Sequence, residues 1–277
     1  MPGITVTPIS GALGAEIDGV DIGRGVDAAT IAELRAALLD HLVIFFRDQQ
    51  LTSDSFLAFA RAFGQPCEYP LLPGMPDFPM ITEIVKHEAE TSNFGGIWHA
   101  DTTYLDHPPM GTLLHAIEVP PFGGDTMWAN QYMAYEALSD GMRAMLDGLI
   151  GISTSDKADV SKTREDMIRN AGDSPPRTSL SAEHPVVRTH PETGRKGLFV
   201  NVAHTARFKG MTEEESAPIL DFLYRHQVRP EFTCRFRWRK GSLAFWDNRA
   251  TQHNPINDYH GYRRVMRRIT LAGDKPV

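Results

Sequence analysis

From residue 28 the chain reads AATIAELRAALLDHL, and its apolar positions Ile31, Leu34, Leu38 and Leu42 recur at intervals of three and four. That spacing lines one face of an α-helix, and Asp27 just before it can accept the free N–H groups of a first turn. A helix is therefore predicted from Asp27 to about Leu42, followed by a strand in the wholly apolar VIFF, 43–46. Ser53 to Phe63 reads as a second helix and Leu138 to Leu149 as a third. Thr212 with Glu215 three residues on forms a capping-box pattern, which predicts a helix running to about His226 with an acidic first turn that suits the helix dipole. Elsewhere the period falls to two. Phe232, Cys234, Phe236 and Trp238 alternate with polar residues, and 110–118, 185–189, 197–202, 242–247 and 264–271 are short and β-prone.

Many short strands accompanied by several helices predict a mainly β protein, a two-sheet jelly roll (double-stranded β-helix) flanked by α-helices. There is no internal repeat, and proline and glycine are spread along the chain instead of gathering in a linker, so residues 1–277 are expected to form a single domain. The polar, proline-containing stretch 153–181 is expected to be a long loop and a candidate lid.

Composition narrows the class of partner. With 42% hydrophobic and 23% charged residues the chain can bury a substantial core. A net charge of -7 gives no global reason to bind nucleic acid or an anionic membrane, so a small molecule is the expected partner; a homo-oligomer is compatible with the sequence. The longest purely aliphatic or aromatic run, Leu42 to Phe46, is far short of the ~20 residues of a membrane span. The first residues lack the cationic patch and apolar core of a secretory signal, which leads us to expect a cytoplasmic protein. Cys67 and Cys234, far apart and alone, read as free thiols in a reducing compartment.

The candidate chemistry begins at Trp98-His99-Ala100-Asp101, where two potential metal ligands lie two apart and on a strand would project from one face. His-x-Asp arises often by chance, so a third ligand is needed. Of the eleven histidines, His41 and His226 fall on predicted helices, and His107, His184 and His190 each precede a proline in a predicted turn, which reads as structural. His87, His115, His204 and His260 stay open, but His253 stands out, following the strand SLAFWDN within WDNRATQH. Two imidazoles and a carboxylate on one face of an ion leave three coordination positions, the arrangement of non-haem ferrous oxygenases. In RRVMRR, 263–268, parity puts Arg264 and Arg268 on one face and Arg263 and Arg267 on the other. The bland reading is a solvated basic face whose ion pairs contribute ~0 to 1 kcal/mol each. A buried guanidinium needs an anion, and its planar fork matches a carboxylate, so an inward Arg264 predicts an acid ligand.

Beyond these residues, GALGAEIDGVDI, FFRDQ, WHADTTYLDHPP, GGDTMW, HPVVRTHPETGRKGLFVN, WDNRATQH and RRVMRRITLAGDKP follow in order across almost the whole chain. Together they resemble the taurine dioxygenase family, the TauD/TfdA type of Fe(II)/2-oxoglutarate-dependent dioxygenases. The resemblance implies that His99, Asp101 and His253 hold Fe(II), that Thr126 and Arg264 bind the distal carboxylate of 2-oxoglutarate, and that O2 is the second cosubstrate. It implies hydroxylation of a small organic anion coupled to decarboxylation of 2-oxoglutarate to succinate. Arg268 matches the position that grips the sulfonate in taurine enzymes. Tyr69 and Leu72 stand where those enzymes carry a histidine and a tyrosine, Gly95 replaces an asparagine, and His204 replaces a pocket phenylalanine. Losing a hydrogen-bonding site costs discrimination on the order of several kcal/mol, so the expected substrate is a sulfonate, sulfate ester or carboxylate other than taurine itself. An aryloxyalkanoate is the alternative within the family. Tyr69, Leu72 and Tyr104 can equally be packing residues, and Trp98, Trp128 and Trp246 are expected in the core. Two rivals from other classes are a zinc-dependent hydrolase using the same three ligands, which would need no keto-acid anchor, and a catalytically silent jelly roll that binds an anion or a partner protein.

Overall fold

The structure, a computed structural model, describes residues 3–70, 72–157 and 179–277. Strands β1 (Thr5–Pro8) and β2 (Ala15–Asp18) lead to helix α1 (Ala28–His41), β3 (Val43–Phe46) and helix α2 (Ser53–Arg61). Then come β4 (Pro66–Cys67), β5 (Thr82–Lys86), β6 (Gly111–Glu118), β7 (Thr126–Asn130), and helices α3 (Gln131–Glu136) and α4 (Asp140–Leu146). Four short strands follow, β8 (Ile150–Thr154), β9 (Ser181–Pro185), β10 (Val187–Thr189) and β11 (Lys196–Leu198), and then β12 (Thr205–Phe208) and helix α5 (Glu213–His226). The chain closes with β13 (Thr233–Phe236), β14 (Leu243–Asp247), β15 (Thr251–Pro255) and β16 (Arg264–Leu271). No described helix is long and apolar enough to cross a membrane.

The main sheet runs β1-β2-β3-β14-β6-β16-β4, with β5 also paired to β16. Facing it is the smaller sheet β13-β7-β15. The mainly β, jelly-roll architecture with outer helices is the one expected. The central strands of the main sheet are apolar on both faces because both are covered. Phe45, Leu114, Ala244, Trp246 and Met266 point toward the smaller sheet and pack with Trp128, Phe236 and Trp238, the rings of Phe45 and Phe236 stacking at 4.0 Å. Their neighbours Ile44, Phe46, Leu113, Phe245, Ile269 and Leu271 point the other way, against Leu34 and Leu38 of α1 and Phe56 and Phe59 of α2. That double cover explains why VIFF shows no alternation. Cys67 and Cys234 are free thiols.

Locally encoded elements fall where the pattern puts them. The Asp27 side chain accepts the Thr30 N–H at 2.8 Å, and Leu42, at φ 64°, ends α1 in the left-handed region. Thr212 and Glu215 form the reciprocal capping box of α5. Three expectations need correction. The helix expected over 138–149 is confined to Asp140–Leu146, because the Ser139 hydroxyl caps Met142 and starts it afresh after α3. The strand expected over 197–202 stops at Leu198; beyond it the Asn201 side chain accepts the His204 N–H and bends the chain into a turn. The alternating run from Phe232 is a strand only over Thr233–Phe236. Of the candidate lid 153–181, residues 158–178 lie outside the described residues, and its ends pair in the β8–β9 ladder, Thr154 opposite Ser181.

An ionic network fastens the end of β14. Asp247 is 0% exposed and accepts three bonds from Arg249, one from its backbone N–H at 2.9 Å and two from its guanidinium at 2.9 and 2.7 Å. His190 Nδ1 accepts the backbone N–H groups of Glu192 and Thr193, so Nε2 carries the proton and donates to Asp247 at 3.0 Å. Glu192 closes the network by pairing with both Arg249 and Arg35. Burial alone would raise the Asp247 carboxyl, but Arg249 and His190 hold it well below the usual carboxylate range. A pKa depressed in the folded state means that this stabilisation is complete above pH ~4 and is lost as pH falls below it. Arg249→Ala strands a buried carboxylate and is expected to destabilise the fold by ~3–5 kcal/mol, measured as a lower urea midpoint at neutral pH.

Candidate metal and cosubstrate site

Strand β15 carries His253, and a single antiparallel bridge ties it to His99. The His99 N–H donates to the His253 carbonyl at 3.0 Å and the His253 N–H returns to the His99 carbonyl at 2.8 Å. The two imidazole rings lie 4.1 Å apart. Asp101 does not sit on a strand beside His99, as the two-residue spacing predicts. It lies in the turn after the bridge, where Thr102 adopts φ 44°. That turn is clamped by Asn248, whose Oδ1 accepts the Asp101 N–H at 2.7 Å while its Nδ2 donates to the carbonyls of Asp101 and Pro109.

The clamp returns the carboxylate to the imidazoles. Asp101 Oδ1 lies 3.6 Å from His99 Nε2 and 3.9 Å from His253 Nε2. Donors ~2 Å from a shared ion can stand up to ~4 Å apart, so the three can hold one divalent cation. Among the described residues His99, Asp101 and His253 are the group of this kind. The other carboxylate oxygen, Oδ2, accepts from Thr112 at 2.8 Å and forms an ion pair with Arg268 Nη2, 2.9 Å away, which turns Oδ1 toward the histidines. Burial would raise the Asp101 carboxyl, yet Arg268, His253 and His99 hold it well below its ordinary value. His99 Nδ1 lies 2.7 Å from the Ile97 carbonyl, so Nδ1 carries the proton and Nε2 offers its lone pair. Burial and the neighbouring His99 push His253 well below the usual imidazole range. The directions of these shifts favour the ionised carboxylate of Asp101 and the neutral imidazole of His253, the forms in which each can ligate a metal.

The two sheets enclose a cavity beside these ligands, walled by Trp246, Leu114 and Ile84 and lined by Thr126, Arg264, Arg268 and Lys86. Parity along β16 holds: Arg264 and Arg268 are buried, whereas Arg267 reaches Glu83 and Arg263 pairs with Glu118 on the outside. Arg264 is 8% exposed, and its Nε and Nη2 are buried without a hydrogen-bond partner. Thr126, beside Pro255 in the β7–β15 ladder, accepts the Trp238 indole N–H at 2.9 Å and so keeps its own hydroxyl proton to donate. A buried guanidinium fork with bare donors, a hydroxyl and three converging metal ligands form a donor set for an acid that also chelates the metal.

The remaining expected residues spread around this centre. The Arg268 guanidinium lies 4.5 Å from the centre of the buried Tyr69 ring. His204 is buried, edge-on to Tyr104 at 5.0 Å and to His99 at 6.3 Å. Gly95 takes φ 64°, and a Cβ there would stand 2.9 Å from His99 Cε1 and 3.2 Å from Nε2, so the ligand ring itself leaves no room for a side chain. Leu72 is half-buried and is not among the residues that line the cavity. Trp128 is core, while Trp246 is both core and cavity wall, 4.7 Å from the His253 ring. His184 and His226 spend a ring nitrogen on backbone carbonyls, as structural histidines do. Asn248, Thr112 and Lys86 escaped the sequence reading; the asparagine within WDNR was the available signal, since a buried amide in a strand-end motif must satisfy its donors and acceptor.

Known proteins resemble this chain over nearly its whole length. The family described as taurine catabolism dioxygenase TauD, TfdA family matches residues 5–270. The alpha-ketoglutarate-dependent sulfate ester dioxygenase of Pseudomonas putida is 36% identical over 282 residues, covering 99% of this chain and 91% of that protein. An alkylsulfatase of Acinetobacter baylyi is 35% identical over 273 residues, covering 96% of this chain and 84% of its own length. The crystal structure of a taurine dioxygenase from Burkholderia xenovorans aligns with a TM-score of 0.84 at 40% identity, covering 100% of this chain and 91% of that one.

His99→Ala deletes a donor and is expected to abolish stoichiometric binding of one divalent ion, read by anaerobic titration calorimetry with Fe(II) or Mn(II). Gly95→Ala keeps all three donors but crowds one, and should weaken metal affinity ~10–100-fold while also lowering the thermal midpoint, because a Cβ is strained at φ 64°.

Proposed function

The chain belongs to the TauD/TfdA family of dioxygenases, and on that premise we propose that it is an Fe(II)- and 2-oxoglutarate-dependent dioxygenase whose substrate is a small alkyl sulfate ester. The observation that carries the reading is the pairing, across one cavity, of the three metal donors with the buried, partly unbonded guanidinium of Arg264. A metal hydrolase has no use for such an anchor.

In this reading His99, Asp101 and His253 hold the iron, and Arg264 with the Thr126 hydroxyl holds the distal carboxylate of 2-oxoglutarate. Iron, 2-oxoglutarate and O2 together supply an oxidation that replaces a substrate C–H hydrogen by hydroxyl while 2-oxoglutarate becomes succinate and CO2. The protein's own share is placement and exclusion of water. Asp101 is kept ionised by Arg268 and Thr112, His99 is kept in one tautomer by Ile97, and Trp246 and Leu114 present apolar walls. Arg268 adds positive potential on the metal side of the cavity, which favours an anionic head group there.

Sulfate esters are chosen over other anions because the relatives at 36% and 35% identity are named for them. The site also argues against taurine: Gly95 has no side-chain amide to offer and no space for one. Hydroxylation at the carbon bearing the ester oxygen would leave hydroxyl and sulfate on one carbon. Such a centre collapses to an aldehyde with release of inorganic sulfate and a proton.

Anaerobic addition of 2-oxoglutarate to the Fe(II) protein should produce a visible metal-to-ligand charge-transfer band. With O2 and a medium-chain alkyl sulfate, succinate, sulfate and aldehyde should appear in equal amounts. Sulfate without succinate would mean a hydrolase, and succinate formed only with aryloxy acids would favour the herbicide-type alternative. Arg264→Ala is expected to raise the 2-oxoglutarate concentration needed for half-maximal rate by ~10–100-fold, with a smaller change at saturation.

A further inference from the structure

Lys86 ends β5 directly opposite Arg264 in the β5–β16 ladder, so the two side chains leave the same face of the sheet. Lys86 is 3% exposed, and its ammonium sits 4.3 Å from the centre of the Tyr259 ring. The Tyr259 hydroxyl donates to Asn93 Oδ1 at 2.8 Å and stands near enough to Arg264 to favour its charged form. The ring is closely backed, since a Cβ on Gly124 would come within 3.2 Å of it. One aromatic side chain therefore stands beside both cations, which the strand pairing sets side by side.

Among the described residues that line the cavity there are three cations, Lys86, Arg264 and Arg268, and no carboxylate. Their order matters. Arg264 and Arg268 are four residues apart on β16, about 13 Å along the strand, and Lys86 belongs to the Arg264 end, away from Asp101. An ammonium and a guanidinium buried side by side make this end of the cavity electropositive and suited to an anionic group. At that end the proposed reaction has one anion to hold, the far carboxylate of its keto-acid cosubstrate.

We propose that Lys86, held over Tyr259, is a second cationic contact for the distal carboxylate of 2-oxoglutarate, alongside Arg264 and Thr126. This rests on the oxygenase reading above. A cosubstrate carboxylate shared by a planar fork and a compact point charge is held by shape and by charge together, and it binds more tightly than to the arginine alone.

The test is anaerobic titration of the Fe(II) protein, following the charge-transfer band, with 2-oxoglutarate and with 2-oxopentanoate, which keeps the chelating end but carries a methyl group in place of the distal carboxylate. Lys86→Met should weaken 2-oxoglutarate binding ~10–100-fold while leaving 2-oxopentanoate within about twofold, and Lys86→Arg should recover most of the loss. Lys86→Gln, which keeps polarity without charge, should behave like the methionine variant and serves if the latter folds poorly. Equal weakening of both acids would show a packing role and overturn the proposal. So would unchanged 2-oxoglutarate affinity, including the case in which more alkyl sulfate is then required for turnover. A wild-type protein that gives no band with either acid would overturn the oxygenase reading and this proposal with it.

Discussion

Two backbone hydrogen bonds between His99 and His253 are the constraint on which the rest of the site depends. They join a loop to β15 across more than half of the chain, and side-chain positions follow from that junction. A single hydrogen bond contributes only ~1 kcal/mol net, so the placement of the metal donors rests on redundancy. The bridge fixes the two imidazoles, Asn248 fixes the backbone of Asp101, and Thr112 with Arg268 fixes the orientation of its carboxylate. Each device removes one degree of freedom from a donor set that metal binding needs within about half an ångström.

The two sheets divide the labour. The smaller one supplies His253, Thr126 and, through the bridge, His99; the main one supplies Arg264, Arg268 and Lys86. Between them the aromatic core of Phe45, Trp128, Phe236 and Trp246 sets their separation. Mechanical stiffness at the site therefore comes from the same rings that make the fold stable. A substitution at Trp246 would be felt as a loss of packing and as a misplaced imidazole at once.

What could be read from the chain alone was whatever is encoded locally. Helices α1 and α5 announce themselves through Asp27 and through Thr212 with Glu215, and β16 through the period-two placement of its arginines. Strand β15, TQHNP, carries no alternation of apolar residues; it is extended because β7 pairs with it, a partner more than 120 residues away. The nearby α3 was missed although Asn130 caps it, because apolar neighbours on both sides mask its periodicity. For Asp101 the strand expected from its spacing to His99 is not formed; a turn and an asparagine bring its carboxylate to the imidazoles instead. Gly95 could be flagged as different but not explained, because the reason is the His99 ring folded back over it.

Strand β16 has two unlike faces: Arg264, Met266 and Arg268 look into the barrel, while Ile269 and Leu271 look toward the helices. A substitution at any one of these positions is a local matter. An insertion or deletion of one residue is not, because it would send guanidinium groups into a hydrocarbon layer and aliphatic side chains toward the ligand space in a single step. Evolution of new specificity on this scaffold is thereby channelled into the connecting loops, where length can vary without inverting a wall of the chamber.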